Sequence, residues 1–393
     1  MKKSLFAAGI LGACASIAHA QSSVTLYGVV DEGLTFTQNS HGLRQYSMVS
    51  GEIQASRWGL RGTEDLGGGL KAVFVLENGM DLSSGKLGQG GLEFGRQAFV
   101  GLSMPYGTVT LGRQYDSVVD YIGLFEVGDQ WGGFYAAHPG DVDNINNSNR
   151  VNNAIKYASK NYHGVTFGGV YAPGGVAGKM GQNQIWSVGG AYNNGPIGVG
   201  LAYLNIRNPN TSFYGTSALA NTTGSAPLAS LDNISSPVFS GYSGALTQEV
   251  IAVGAAYTFG SATVGGTYSN TRFNDLGNAS TGPNPFKNTG TAVFNNVEAN
   301  FKYQLTPALV LGVAYDYTKS SSVDGLEGAT YHQGAVGADY FLSRRTDVYF
   351  VGIFQQASGI NSMRTSAVAA INGVTPSSNS RQSVLRVGIR EKF

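Results

Sequence analysis

The chain of 393 residues carries 25 Lys and Arg against 24 Asp and Glu, and 12% of it is charged, roughly half the ~25% typical of soluble domains. A balance this close to zero offers no basic excess to neutralise phosphates, which excludes nucleic acid as a partner. Beyond residue 20 no apolar run approaches the ~20 residues of a membrane-spanning helix, so a helical membrane protein is excluded and a soluble enzyme disfavoured.

The chain begins with Lys2 and Lys3, an apolar run over 5–17, and Ala18-His19-Ala20 ahead of Gln21. That is the layout of a secretory signal over 1–20, cleaved after Ala20. Leu11-Gly12-Ala13-Cys14 is similar to a lipoprotein box, but the Ala-x-Ala site lies where the strand pattern begins. Cys14 is the one cysteine, so 21–393 holds no disulfide, thiolate ligand or cysteine nucleophile.

Period-two segments follow, the mark of strands with one apolar face. Ile197, Val199, Leu201 and Tyr203 alternate with Gly198, Gly200 and Ala202. Ile251, Val253, Ala255, Tyr257 and Phe259 repeat the pattern. Val297, Ala299, Phe301 and Tyr303 oppose Asn296, Glu298, Asn300 and Lys302. Leu309, Leu311, Val313, Tyr315 and Tyr317 oppose Gly312, Asp316 and Thr318. Tight turns at 64–68, 105–107, 161–164, 194–196, 260–261, 305–307 and 343–345 alternate with longer Gly/Ser/Asn-rich connections. Those lie near 38–43, 79–91, 114–149, 174–183, 208–248, 273–290, 319–328 and 357–379.

Seven short and eight long connections predict an all-β fold, a sixteen-stranded antiparallel transmembrane β-barrel. Lipid satisfies no exposed sheet edge, so the sheet must close. Tyr157, Tyr162, Tyr192, Tyr257, Phe259 and Tyr303 cluster near short turns, where an aromatic girdle meets the membrane interface. Leu385, Val387 and Ile389 alternate before Phe393, which turns Arg386 and Arg390 into the lumen.

Particular stretches carry a resemblance across the whole of 21–393. Val24-Thr25-Leu26-Tyr27-Gly28 with Asp31 resembles the first strand of Gram-negative general porins, and residues 56–72 (SRWGLRGTEDLGGGLKA) resemble their second hairpin. Gly95-Arg96-Gln97-Ala98-Phe99-Val100-Gly101-Leu102, Tyr106-Gly107 and Leu111-Gly112-Arg113-Gln114-Tyr115 match the next hairpin, and residues 150–157 (RVNNAIKY) the strand after the third surface loop. Together they resemble the β-proteobacterial branch of the trimeric sixteen-stranded general (diffusion) porins. Two departures stand out. Glu391 lies two before the terminal Phe, and Gly128-Asp129-Gln130-Trp131-Gly132-Gly133 replaces the Pro-Glu-Phe-Gly-Gly of enteric relatives.

The resemblance implies an outer-membrane channel for passive diffusion of small hydrophilic solutes and ions. Its lumen would be narrowed by a long third loop, about 114–149, folded inward so that acidic groups face a basic ladder. Carried onto this chain, the basic side is Arg57, Arg96, Arg150 and Lys156, and the acidic side is Glu126, Asp129 and Asp120. Parity puts Arg57 on the inward face with Gly59 and Arg61, and puts Arg150, Asn152 and Lys156 opposite Val151, Ile155 and Tyr157. Trp131, Phe134 and Tyr135 are expected to anchor the loop against the wall. The resemblance also implies a homotrimer, contact with outer-membrane lipid and lipopolysaccharide, and recognition of Phe393 by the barrel assembly machinery. No cofactor or metal is expected.

Other classes find little support. A substrate-selective channel would need an aromatic slide or a dense basic run. A hydrolase would need a nucleophile and base, and the sequence has no Gly-x-Ser-x-Gly, His-Glu-x-x-His or Walker loop. An adhesin role would rest on the loops alone. His138, beside Pro139, reads as loop filling. Asp141 and Asp143 with Asn144, Asn146 and Asn147 read as solvated loop oxygens rather than a calcium cage.

Overall fold

The computed structural model describes residues 22–216, 232–277 and 282–393; the expected signal segment lies outside them. The first half of the sheet is β1 (Ser23–Ser40), β2 (Leu43–Ser50), β3 (Arg57–Gly67), β4 (Leu70–Gly79), β5 (Gln97–Met104), β6 (Gly107–Gln114), β7 (Val151–Ser159) and β8 (Val165–Ala172). The second half is β9 (Ile185–Asn194), β10 (Ile197–Arg207), β11 (Thr247–Phe259), β12 (Ala262–Leu276), β13 (Gly290–Thr306), β14 (Leu309–Ser320), β15 (Thr330–Phe341), β16 (Thr346–Ser358) and β17 (Arg381–Lys392). From β3 onward each strand pairs antiparallel with the next, and β17 returns to β1, with Val29–Gln38 against Lys392–Ser383. The other edge of β1 pairs with β3 over Ser23–Val29 and with β2 over Glu32–Ser40. The strand segments β2 and β3 are therefore two halves of one stave, and the barrel is a closed ring of sixteen.

The break at 51–56 begins at Gly51, whose φ of 76° few other residues adopt. The freed backbone is satisfied from inside. Ile53 and Gln54 donate their N–H groups to Asp31 Oδ2 at 2.9 Å each, and Glu52 O accepts from Phe134 N–H at 2.7 Å.

The alternation carries through as expected. Leu201, Ile251, Val297, Val313 and Val387 are exposed on the outer face, while Ala202, Ala252, Asn296, Asp316 and Arg386 are buried on the inner one. An exposed apolar band over buried polar groups inverts the soluble arrangement, and it suits strands with lipid outside. Tyr162, Tyr192, Tyr257, Phe259 and Tyr303 are exposed beside the short turns, and Tyr257 stacks on Phe259 at 6.2 Å. The connection expected as a loop at 38–43 is instead a two-residue turn. His41 and Gly42, with φ of 49° and 90°, match the twist of a tight hairpin.

Much of the inner face is buried by residues 115–150, and another part by residues 234–245 and 367–370, which pack on Phe273, Phe294 and Tyr331. Asp116 opens helix α1 (Ser117–Ile122), its Oδ1 accepting the Val118 N–H at 2.7 Å. Aromatic side chains of this segment then seat on glycines of the wall. A Cβ at Gly189 would lie 2.6 Å from the Tyr121 ring, one at Gly254 2.5 Å from Phe125, and one at Gly337 2.5 Å from Trp131. Wall amides hold its backbone: Asn300 Nδ2 donates to Phe125 O at 2.8 Å, and Gln333 Nε2 to Ala137 O at 3.0 Å. Packing and hydrogen bonds thus both hold the segment against these wall residues.

Barrel closure has its own buried network. Arg386 on β17 donates to Asp31 Oδ1 at 3.1 Å and to Tyr349 Oη at 2.7 Å, and Tyr349 donates to the same Asp31 oxygen at 2.5 Å. Neither partner of the ion pair is exposed. Removing one side strands the other charge, which typically costs ~3–5 kcal/mol. Asp31→Ala is expected to lower the urea midpoint of the purified barrel accordingly. A midpoint within error of wild type would show that the network contributes little.

Candidate functional site

A cavity of about 940 Å³ runs past the third loop. One wall holds Arg57, Glu77, Arg96, Tyr115 and Arg150. Across it lie Asp129 and Gln130 of the loop, and Lys302, Asp339, Arg390 and Lys392 complete the circuit.

The basic wall is one connected array. Arg96 Nε meets Glu77 Oε1 at 2.8 Å, and Arg57 Nε lies 3.7 Å from Glu77 Oε2. The Tyr27 hydroxyl donates to Glu77 Oε2 at 2.9 Å and that of Tyr115 to Oε1 at 3.2 Å. Arg96 donates to Tyr115 Oη at 3.1 Å, and the Arg150 guanidinium sits 5.7 Å from the centre of the Tyr115 ring. Local backbone aims two of the arginines: Arg57 donates to Ala55 O at 2.9 Å, and Arg150 to Ser148 O at 3.1 Å. Glu77 closes a run of apolar residues, Val73 to Leu76, and Tyr115 follows the strand end. Nothing local in the sequence marks either as the centre of this array. Alternation along β4 was the signal that would have turned Glu77 inward with Val73 and Val75.

Lys156 does not line that cavity, although its Nζ donates to Tyr115 O at 3.2 Å behind the wall. Its Nζ pairs with Asp120 at 2.5 Å and lines a second pocket, with Arg61 and Thr108, in the half of the lumen nearer the short turns. The parity expected across β7 also fails at one end. Asn153 has a φ of 54° and the β6–β7 register slips beside it, so Val151 turns inward against Val118, Ile122 and Ile145 while Ile155 faces out.

Of the three acids expected on the rim, Asp129 alone lines the cavity, accepting from Asn146 Nδ2 at 3.2 Å. Burial pushes its carboxyl up to about 6, helped by the charge of Asp141 and opposed by Arg96 and Arg57. Glu126 is fully buried behind the loop, where its Oε1 accepts the His138 N–H at 3.2 Å. Asp120 is committed to Lys156. The carboxylate of Asp141 is buried too, accepting N–H groups of Asn146 at 3.0 Å and Ser148 at 2.9 Å, so it is a turn-former rather than a solvated loop oxygen. His138, expected as loop filling, is fully buried and in contact with Asp143 at 2.7 Å.

Trp131 and Tyr135 do anchor the loop. Trp131 lies over Gly312 and Gly337, and Tyr135 is buried with Ile53 and Tyr349.

Comparison with known proteins gives a consistent result. A family profile described as Gram-negative porin matches residues 7–358. The chain is 35% identical over 242 residues to an outer membrane porin protein of Bordetella pertussis, a stretch spanning 55% of this chain and 62% of that one. It is 30% identical over 410 residues to outer membrane porin protein 32 of Delftia acidovorans, covering 100% of both. Among solved structures, an anion-selective porin from Comamonas acidovorans superposes with a TM-score of 0.71 at 23% identity, covering 95% of this chain and 100% of that one. OmpT of Vibrio cholerae gives 0.63 at 14% identity, covering 95% and 98%. At these identities the structural likeness speaks for the fold.

Proposed function

The chain belongs to the Gram-negative porin family, and on that premise we propose that it forms a homotrimeric outer-membrane channel that admits small hydrophilic solutes by size and favours anions. Passive diffusion across the outer membrane is what the family and the closed barrel share. The sign of the preference is the further step, and the cavity lining supports it. Among the described residues six cationic side chains line the cavity, Arg57, Arg96, Arg150, Lys302, Arg390 and Lys392, against four acidic ones, Glu52, Glu77, Asp129 and Asp339. Burial raises Asp129 to about 6, so the acidic side is weaker at neutral pH than its residue count. Charged lumen linings bias which ion enters. The Comamonas porin, whose description is anion-selective, supports the same sign.

In this reading Arg57, Arg96 and Arg150 form the basic side of the constriction and Asp129 its acidic side. Residues 1–20 are a signal removed on export. Three copies assemble in lipid and lipopolysaccharide, the assembly machinery reads Phe393, and no catalytic chemistry is involved. A slide for sugars has little to stand on, since Trp131 is packed against wall glycines rather than lined up along the passage.

The test is conductance of the detergent-purified oligomer in planar bilayers. Anion-selective openings that close in thirds, without block by sugars, are expected. Saturable block by one sugar would replace general diffusion with a selective channel, and a cation-selective reversal potential would overturn the assignment of the lining. A pH series adds a second check. As pH falls through about 6, Asp129 gains its proton and loses its charge, so the anion preference should rise. Asp129→Asn should flatten that step, and a step unchanged in the variant would remove Asp129 from the constriction.

A further inference from the structure

Behind the third loop, on the side away from the cavity, His138 sits fully buried among four carboxylates. Asp143 and Glu126 come from the loop itself, Glu298 from β13 and Asp316 from β14. His138 Nδ1 lies 2.7 Å from Asp143 Oδ2. Asp143 is itself held by the Ser269 hydroxyl, by Asn296 Nδ2 at 3.2 Å and by the Ile145 N–H at 3.4 Å. A carboxylate placed on one imidazole nitrogen in this way sets the tautomer and leaves the other nitrogen with a lone pair to share.

That other nitrogen, Nε2, faces mainly acceptors. Glu298 Oε2 and Asp316 Oδ1 each lie 3.7 Å from it, with the Thr267 hydroxyl at 3.3 Å. Each of the other three carboxylates has one oxygen satisfied. Glu298 Oε1 accepts from the Val127 N–H at 2.9 Å and Asn300 Nδ2 at 2.6 Å, Glu126 Oε1 from the His138 N–H at 3.2 Å, and Asp316 Oδ2 from the Thr318 hydroxyl at 3.2 Å. The second oxygens, Glu126 Oε2, Glu298 Oε2 and Asp316 Oδ1, are buried without a hydrogen-bond partner. One donor atom each from Glu126, His138 and Glu298 falls within 4.8 Å of the others. Buried acceptors gathered around an imidazole, with their remaining atoms already committed, are the arrangement that a cation site requires.

We propose that Glu126, His138 and Glu298 bind a zinc ion, with Asp316 as the fourth donor. One imidazole with carboxylate oxygens is a borderline donor set suited to zinc. A tetrahedron with bonds of ~2.0 Å places its donors about 3.3 Å apart; the two 3.7 Å separations from His138 reach that by closing a few tenths of an ångström, while the wider ones, up to 4.8 Å among Glu126, His138 and Glu298, close by rotation of the carboxylate side chains, with Asp316 swinging in from beside that set. Two ligands belong to the loop and two to adjacent strands, so the ion staples the loop to the wall. It lies outside the path of the permeating solutes.

The test uses the full-length protein purified from outer membranes in detergent. It is stripped with EDTA, equilibrated with zinc chloride and freed of excess metal. One zinc per chain is expected by elemental analysis, with an absorption-edge spectrum of one histidine nitrogen and oxygen neighbours at ~2.0 Å. Loading should also raise the thermal transition of the barrel. E298Q and H138Q should each cut bound zinc to below a tenth of wild type, while H41Q and H332Q retain it. Wild-type protein that takes up less than a tenth of an equivalent would overturn the proposal, leaving shared protons to balance the cluster. So would zinc retained in full by both E298Q and H138Q. Should those variants fail to fold, the wild-type spectrum decides alone, because two or more histidine neighbours would place the metal on the surface.

Discussion

Replacing Arg57 and Arg150 together by glutamate is expected to reverse the sign of the reversal potential in a salt gradient. The substitution turns six cationic and four acidic lining groups into four and six. Each change moves the local charge by two units. One unit charge acts on an ion about 8 Å away in water with ~0.5 kcal/mol, and screening over a Debye length of ~8 Å leaves roughly a third of that. Four units therefore shift an anion one way and a cation the other by somewhat under ~1 kcal/mol each. The permeability ratio should then change by roughly tenfold. Arg57→Gln with Arg150→Gln should travel about half that distance. Arg96 is the wrong target, because it is held between Glu77 and Tyr115 and its loss would disturb the wall itself. A double glutamate variant that folds and keeps its anion preference would assign selectivity to Lys302, Arg390 and Lys392 instead.

The second large effect is expected at Trp131. Its ring occupies the floor made by Gly312 and Gly337, where any Cβ would collide with it, and it packs in one cluster with Ile53, Val127 and Tyr135. Trp131→Ala leaves a socket that the rigid strands cannot close. Such truncations typically cost ~3–5 kcal/mol. The loop tip loses its main wedge at the same time, so single-channel conductance should rise while the urea midpoint falls. Unchanged conductance would show that the wall amides, Asn300 and Gln333, are enough to hold the aperture. Gly337→Leu in the alanine background should recover part of the stability by filling the socket from the other side.

How far such features are legible in the sequence depends on which physical rule governs them. Alternation of period two on β10, β11, β13 and β14 is dictated by the pleat, so it could be read directly and held throughout. Parity failed at Val151 because a residue of positive φ, Asn153, resets the face, and nothing forces an Asn into that conformation except the surrounding fold. The split of one stave at Gly51 was equally hidden, since its driving contacts, Asp31 and Phe134, are distant in sequence. The resemblance pointed to Arg57, Arg96 and Arg150, with parity as a second argument for Arg57 and Arg150, and all three line the cavity. The carboxylates were harder. A loop sequence does not say whether an acid points to water or to the wall, which is why Glu126 and Asp129, three residues apart, have opposite surroundings. Glu77 was passed over because it completes what looks like an apolar strand.

The closure of β1 on β17 bears on biogenesis. Glu32 and Ile389, paired in the finished barrel, belong to the first and last strands in chain order, so the staves between them come first. Contacts of such long separation form late, and until then the edges of β1 and β17 present unpaired backbone, a standing template for aggregation. The exposed outer residues Leu34, Val387 and Ile389 flank that same seam. A polypeptide of this design therefore needs escort in the aqueous phase from the appearance of its first strand until the ring is sealed in lipid. The seam itself, with Arg386 and Asp31 at its centre, is the place where assembly should be most easily arrested.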